Sequence, residues 1–277
     1  MYQVARPKRS LSQNFLFDQN IRRKLIEALA AEPDDTVLEV GPGHGELSEL
    51  LVGRVGRLVL VEKDDRLAPE HAERWAGRPD VEDVHGDALE TDLSALVSGR
   101  PAGSGLRLIS NLPYAITSPL LFVLLDVRPL ADRIVVLVQE EVARRITASP
   151  GGKEYGALSI GVQTRARAGL AFKVGRNAFR PVPGVDSAAV VLEPTTAAGS
   201  VDAARLRRLV RAAFSRRRKQ MRTILRSPAY GLDREQADGM LRGLGIDPGA
   251  RPETLAPEQF EALAARLETI EGPHAGG

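Results

Sequence analysis

The sequence has no cysteine. That excludes disulfides, cysteine–zinc sites, iron–sulfur clusters and a cysteine nucleophile. Histidine is scarce. His44, His71, His85 and His274 are scattered, and none pairs at metal-ligand spacing, so no metal is expected. Long apolar runs are missing as well. The longest clean ones, such as Leu120 to Leu125, fall far short of the roughly 18 residues that a membrane span needs. Residues 1–17 are basic but lack the apolar stretch of a secretory signal. A cytoplasmic protein without membrane attachment is expected.

The chain has 277 residues, 43% apolar and 27% charged. Such a composition is ordinary for a soluble globular protein, and the length allows roughly two domains. Charge is nearly balanced, with 38 Lys and Arg against 36 Asp and Glu, but it is unevenly placed. Between Ala31 and Ala95 stand 17 acidic and 6 basic residues; between Arg205 and Arg226 stand 10 basic residues and no acidic one. A solvated helix face usually interleaves acids for i,i+4 pairs. This stretch does not, so a polyanion partner is expected.

Asp18 is placed to cap a helix carrying Ile21, Leu25, Ile26 and Leu29 at helical spacing. Strand patterns then alternate with helical ones. Strands are predicted at Thr36–Val40, Arg57–Val61, Val81–Val84, Leu106–Ile109 and Ile134–Val138. Helices are predicted from about Glu46, from about Asp64, from Ser118-Pro119 and over Glu140–Ala148. Leu170–Val174 and Ala188–Leu192 add two strands, for about seven in all. The alternation implies an α/β fold, a Rossmann-like and mostly parallel sheet covered on both faces. Beyond a polar linker, Glu193 to Ser200, only helical patterns occur: Ala203–Phe214, Lys219–Leu225, Arg234–Leu241 and Glu258–Leu267. The expected domains are therefore 1–195, with a basic start at Arg6-Pro7-Lys8-Arg9, and a small all-helical 196–277. His274 to Gly277 reads as a frayed tail.

Gly41-Pro42-Gly43-His44-Gly45 follows an apolar strand. Glycine there lets backbone approach a ligand where a Cβ would clash. Glu62 ends the second strand, and a carboxylate at that place can accept both hydroxyls of a ribose. Asp87 follows the third strand, where it can accept from an adenine amino group. Together they predict a nucleoside site, which alone fits a dinucleotide or S-adenosylmethionine. Glu46 directly after Gly45 competes with a pyrophosphate at a helix N-terminus and suits a positive sulfonium. S-adenosyl-L-methionine is the favoured cofactor.

Asn111-Leu112-Pro113-Tyr114 ends the fourth strand. It resembles the site of methyltransferases that act on amino groups conjugated to a ring. The lone pair of such a nitrogen is delocalised into the ring. An Asn oxygen and a backbone carbonyl that accept from the amine draw it toward tetrahedral geometry. Pro113 sets the turn and Tyr114 offers a face for stacking. Displacement then needs alignment more than acid–base help.

Five segments, in matching order, resemble the ribosomal RNA adenine N6-dimethyltransferase family. They are Ser12-Gln13-Asn14-Phe15-Leu16-Phe17-Asp18, Glu39 to Gly43, Asn111 to Tyr114, Gly151-Gly152-Lys153-Glu154-Tyr155-Gly156, and Phe179-Arg180-Pro181-Val182-Pro183-Gly184-Val185-Asp186-Ser187. The chain looks most like its small-subunit branch, which dimethylates two adjacent adenines near the 3′ end of 16S RNA. The resemblance implies a class I methyltransferase fold, a 30S-type particle as partner, and a monomer. It implies that Asn14 and Leu16 close over the cofactor and that Gly41 floors its pocket. Glu62 would hold the ribose, Asp87 the cofactor adenine, and Asn111 both cofactor and target amine. Tyr114 and Phe179 would sandwich the flipped base. One departure stands out: Ala115 replaces the Asn common in relatives. The basic residues Arg207, Arg208, Arg211, Arg216, Arg217, Arg218, Lys219 and Arg222 are the expected RNA contacts. The alternatives are an Erm-type enzyme for large-subunit RNA and a non-catalytic assembly or transcription factor. A dinucleotide oxidoreductase is disfavoured by Glu46.

Overall fold

The computed structural model describes residues 14–195 and 202–271. The basic start at Arg6 to Arg9, Ser12 and Gln13, the linker's 196–200 and the tail from His274 lie outside the described residues. By internal packing the chain forms two units. One runs to Ala143 and takes in Arg167–Pro194; the other comprises Arg144–Ala166 and the chain from Thr195 onward.

The first unit opens with a two-residue strand, β1 (Phe15–Leu16), and helix α1 (Gln19–Leu29). Asp18 caps α1 by accepting from the N–H groups of Asn20 and Ile21. The expected strands follow, mostly a residue or two longer than predicted: β2 (Thr36–Val40), β3 (Arg57–Glu62), β4 (Val81–His85), β5 (Leu106–Asn111) and β6 (Arg133–Gln139). Helices α2 (Ser48–Leu51), α3 (Ala68–Arg74), α4 (Leu93–Ser98), α5 (Thr117–Leu125) and α6 (Glu140–Thr147) alternate with them. After α7 (Ala157–Gln163) come β7 (Ala166–Val174), β8 (Phe179–Arg180) and β9 (Ser187–Pro194). Seven strands make one sheet in the order β4-β3-β2-β5-β6-β9-β7. The pairs from β4 to β6 are parallel, and β9 runs antiparallel to β6. Every residue of β2 is buried, as expected of a strand covered on both faces. Leu25 and Leu29 of α1 pack with Leu58, Leu60, Ile109 and Val135 in the core of this unit.

The chain departs from its local pattern after the glycine loop. A helix from about Glu46 is expected, but α2 begins only at Ser48. Gly41, Gly43 and Gly45 all have positive φ, which holds the segment in turns. Glu46 therefore lies in a turn and not at a helix N-terminus. Helix α4 has six residues, too few to show a period.

The second unit contains α7, α8 (Ala203–Phe214), α9 (Met221–Leu225), α10 (Arg234–Gly243) and α11 (Pro257–Glu271). Its core joins Tyr155 and Ile160 to Leu209, Ile224, Phe260 and Leu263. This is why Arg144–Ala166 belongs with the helices, although the expected division at 195 puts it in the first domain. Tyr155 is fully buried and donates to the Leu255 carbonyl at 2.8 Å. Among the described residues no helix is long and apolar enough to cross a membrane.

Candidate active site

The chain builds β3 and β4 on one side of β2 and then returns to place β5 and β6 on the other, so the strand order reverses at β2. A crevice opens at such a point beyond the carboxyl ends of the strands. Gly41 and Gly43 sit there with φ of 71° and 60°, the left-handed region that glycine adopts without penalty. A Cβ on Gly43 would stand 2.9 Å from the Phe15 ring.

Glu62 closes β3 and is 5% exposed. Its Oε2 accepts from Gly43 N at 3.0 Å and its Oε1 from Asp64 N at 2.8 Å. Each oxygen keeps a further lone pair. Asp87 pairs with Lys63, and its Oδ1 accepts from Leu89 N at 3.0 Å. The Lys63 ammonium holds the Asp87 carboxyl below its usual range, so it is an ionised acceptor.

Asn111 ends β5. Its Nδ2 donates to the Asn14 carbonyl at 2.9 Å, which leaves Oδ1 as an acceptor. The Ser110 hydroxyl ties this strand end to Val40 O at 2.6 Å. The Pro113 carbonyl accepts from Ile116 N and from the Thr117 hydroxyl, both at 3.1 Å. The Tyr114 and Ser187 hydroxyls share a hydrogen bond of 2.7 Å. Burial pushes the Tyr114 phenol up, so it stays neutral. Asn14, Leu16, Gly41, Glu62, Asp87, Asn111, Leu112, Pro113 and Tyr114 all line one cavity. Ala115 lines it too and is exposed.

Phe179 is the exception. The resemblance puts it against a flipped base, but it is 0% exposed and is not among the residues lining the cavity. Strand β8 pairs antiparallel with β1, setting Phe179 opposite Leu16, and its ring joins the apolar core. In this conformation it offers no face for stacking.

Two charged lining residues, Glu39 and Lys63, were not singled out as contacts by the sequence; Glu46, which was, lines the cavity beside them. The signal for Glu39 was its place in an otherwise apolar strand two residues before Gly41. It is buried, and Ser48 Oγ donates to its Oε2 at 2.6 Å. Burial pushes its carboxyl from 4.5 up to about 8. Burial also raises Glu46. The folded chain thus keeps the Glu39 proton up to about pH 8, while the unfolded chain releases it near 4.5. The Glu39 contribution to wild-type stability falls as pH rises through that window. Glu39→Gln cannot titrate, so its urea midpoint should gain on the wild type between those limits. Parallel midpoint curves would show that Glu39 ionises normally.

The basic segment divides into two kinds. Arg207, Arg208 and Arg211 on α8 are exposed, as are Arg216, Arg218 and Lys219 in the connection to α9. Arg217 instead donates to the Lys153 and Gly152 carbonyls at 3.2 and 3.3 Å. Arg222 donates to Pro248 O at 3.2 Å and pairs with Asp238 at 3.3 Å. These two half-buried cations hold the helical unit together. None of the eight lines the cavity.

The model of one family, described as ribosomal RNA adenine dimethylase, matches residues 4–269. A ribosomal RNA small subunit methyltransferase A from Geobacter metallireducens is 42% identical, covering 96% of this chain and 98% of that protein. The protein of the same name from Moorella thermoacetica is 41% identical, covering 95% and 93%. The crystal structure of a dimethyladenosine transferase from Plasmodium falciparum superposes with a TM-score of 0.80 at 26% identity, covering 93% of this chain and 98% of that one. That of the 23S rRNA methyltransferase ErmE gives 0.68 at 27% identity, covering 92% and 100%. With its motifs in family order and a match across nearly its whole length, the chain belongs to the ribosomal RNA adenine dimethylase family.

Proposed function

We infer that the protein transfers methyl groups from S-adenosylmethionine to N6 of adenine in ribosomal RNA. Its proposed target is the pair of adjacent adenines near the 3′ end of the small-subunit RNA, presented in a 30S-type particle. One observation carries this: Asn111, its amide nitrogen tied to the Asn14 carbonyl, keeps Oδ1 as an acceptor beside the cavity that Glu62 and Asp87 also line.

The lining fits this cofactor better than a dinucleotide. Glu39, Glu46, Glu62 and Asp87 line the cavity, and among its described lining residues the one Lys or Arg is Lys63, already paired with Asp87. A pyrophosphate would meet carboxyl groups without a free cation. When bound, S-adenosylmethionine supplies a methyl group on a positively charged sulfur. Glu62 would accept from the ribose hydroxyls and Asp87 from the adenine amino group. Leu16 and Asn14 would close over the ligand.

Asn111 Oδ1 would accept one N–H of the target amine. The Pro113 carbonyl is occupied by Ile116 and Thr117; the Leu112 carbonyl would accept the other N–H. Two acceptors on one amine localise its lone pair on nitrogen. No side-chain base is needed, because the methylated cation releases its proton to water. Tyr114, its hydroxyl held by Ser187, would stack on the base.

The higher identity to small-subunit enzymes, 42% against 27% for ErmE, supports the small-subunit target over the large. An assay run to completion with excess radiolabelled methyl donor decides. Unmodified small subunits should acquire two adjacent dimethyladenines, read by mass spectrometry. Label in large-subunit RNA alone would make the enzyme Erm-type. Binding of small subunits without any transfer would make it an assembly factor.

A further inference from the structure

Three side chains outside the cavity meet behind the glycine loop. Asp83 and His85 lie two residues apart on β4, and so on one face of the sheet's edge strand. His71 comes from α3. His71 Nδ1 lies 3.0 Å from Asp83 Oδ1, and His85 Nε2 lies 3.3 Å from Asp83 Oδ2. All three offer ligand atoms within 4.8 Å of one another. The sequence hid this group, since His71 stands 12 residues before Asp83 and joins it only through the packing of α3 on β4.

We propose that His71, Asp83 and His85 form a binding site for a divalent transition metal of the zinc class. Tetrahedral zinc with nitrogen and oxygen ligands at about 2.0–2.1 Å sets those ligands roughly 3.4 Å apart. Both Asp83 separations are close to that span. Two imidazoles and one carboxylate, with no thiolate in the chain, are a borderline donor set that suits zinc. His71 is 0% exposed, and its other nitrogen, Nε2, lies 2.7 Å from the Gly43 carbonyl. Ligating histidines regularly give their second N–H to such a carbonyl, which sets the tautomer and the ring orientation. Here that bond fixes Nε2 as a donor, and a metal at Nδ1 would displace the proton that Nδ1 gives to Asp83 Oδ1. His85 is exposed, so the fourth position is open to water. An ion there would staple α3 to the sheet edge and, through Gly43, brace the cofactor loop. The site does not depend on the methyl-transfer reading.

The test uses tag-free full-length chain, stripped with chelator and titrated calorimetrically with zinc chloride. One equivalent should bind. His85→Ala and Asp83→Asn should each weaken binding at least 10-fold, on the order of the loss seen when a metal site is disturbed. His44→Ala should bind as the wild type does, which separates this site from the His44–Glu70 pair. Zinc should also raise the melting temperature of the wild type but not of His85→Ala. Because His85 is exposed, that variant should fold, as its circular dichroism will show. A wild type that takes up no zinc, variants that bind it undiminished, or binding lost in His44→Ala would each overturn the proposal, leaving His71, Asp83 and His85 as an ion-pair cluster only.

Discussion

Asn111→Ala is expected to transfer methyl groups at least about 100-fold more slowly than the wild type, the scale for one well-placed polar group. Its binding of small subunits should be nearly unchanged. The proposed bond from the target amine to Oδ1 strengthens as the nitrogen becomes tetrahedral, so it lowers the barrier more than it aids binding. On the proposed reading, RNA docking would rest on phosphate contacts made elsewhere. The same side chain holds the Asn14 carbonyl, so the variant should also loosen the segment over the cofactor. Rates must therefore be compared at saturating S-adenosylmethionine. A near wild-type single-turnover rate would remove Asn111 from the reaction.

Replacing Arg211, Arg216, Arg218 and Lys219 together with Ala should weaken small-subunit binding by on the order of 100-fold. All four are exposed. If each meets a phosphate, the slope of log affinity against log salt should flatten by about 3, at roughly 0.7–0.9 per contact. Affinity for S-adenosylmethionine should hold, because none of the four lines the cavity. Arg217→Ala provides the contrast. Its guanidinium serves the Gly152 and Lys153 carbonyls and lies 3.8 Å from Glu253. Its loss should lower thermal stability while the salt slope stays put. A quadruple variant that keeps its full slope would make the basic run a solvated face.

The sheet and most of the cavity were legible in the chain. Thr36–Val40 reads as a strand, and every residue in it is buried, as a strand covered on both faces requires. A glycine loop after such a strand, with acids closing the next two, follows from the parallel α/β rule that ligands sit beyond the carboxyl ends. Asn111 to Tyr114 was readable for the same reason: it ends a strand. These are local signals, and position along a parallel sheet turns them into a site.

Other features depend on partners distant in the chain. Phe179 and Tyr114 are both aromatic residues within two positions of a proline, and nothing local separates them. One is buried because β8 pairs with β1; the other lines the cavity, its hydroxyl on Ser187. Arg217 and Arg218 are adjacent and chemically equal, yet only the first finds carbonyls within reach. Tyr155 fills the helical core from a segment that precedes β7. His71 meets Asp83 and His85 only once α3 lies on the sheet edge. Hydrophobic period and turn chemistry select elements one at a time. Burial, and the pairing of polar atoms that burial compels, is decided when those elements pack.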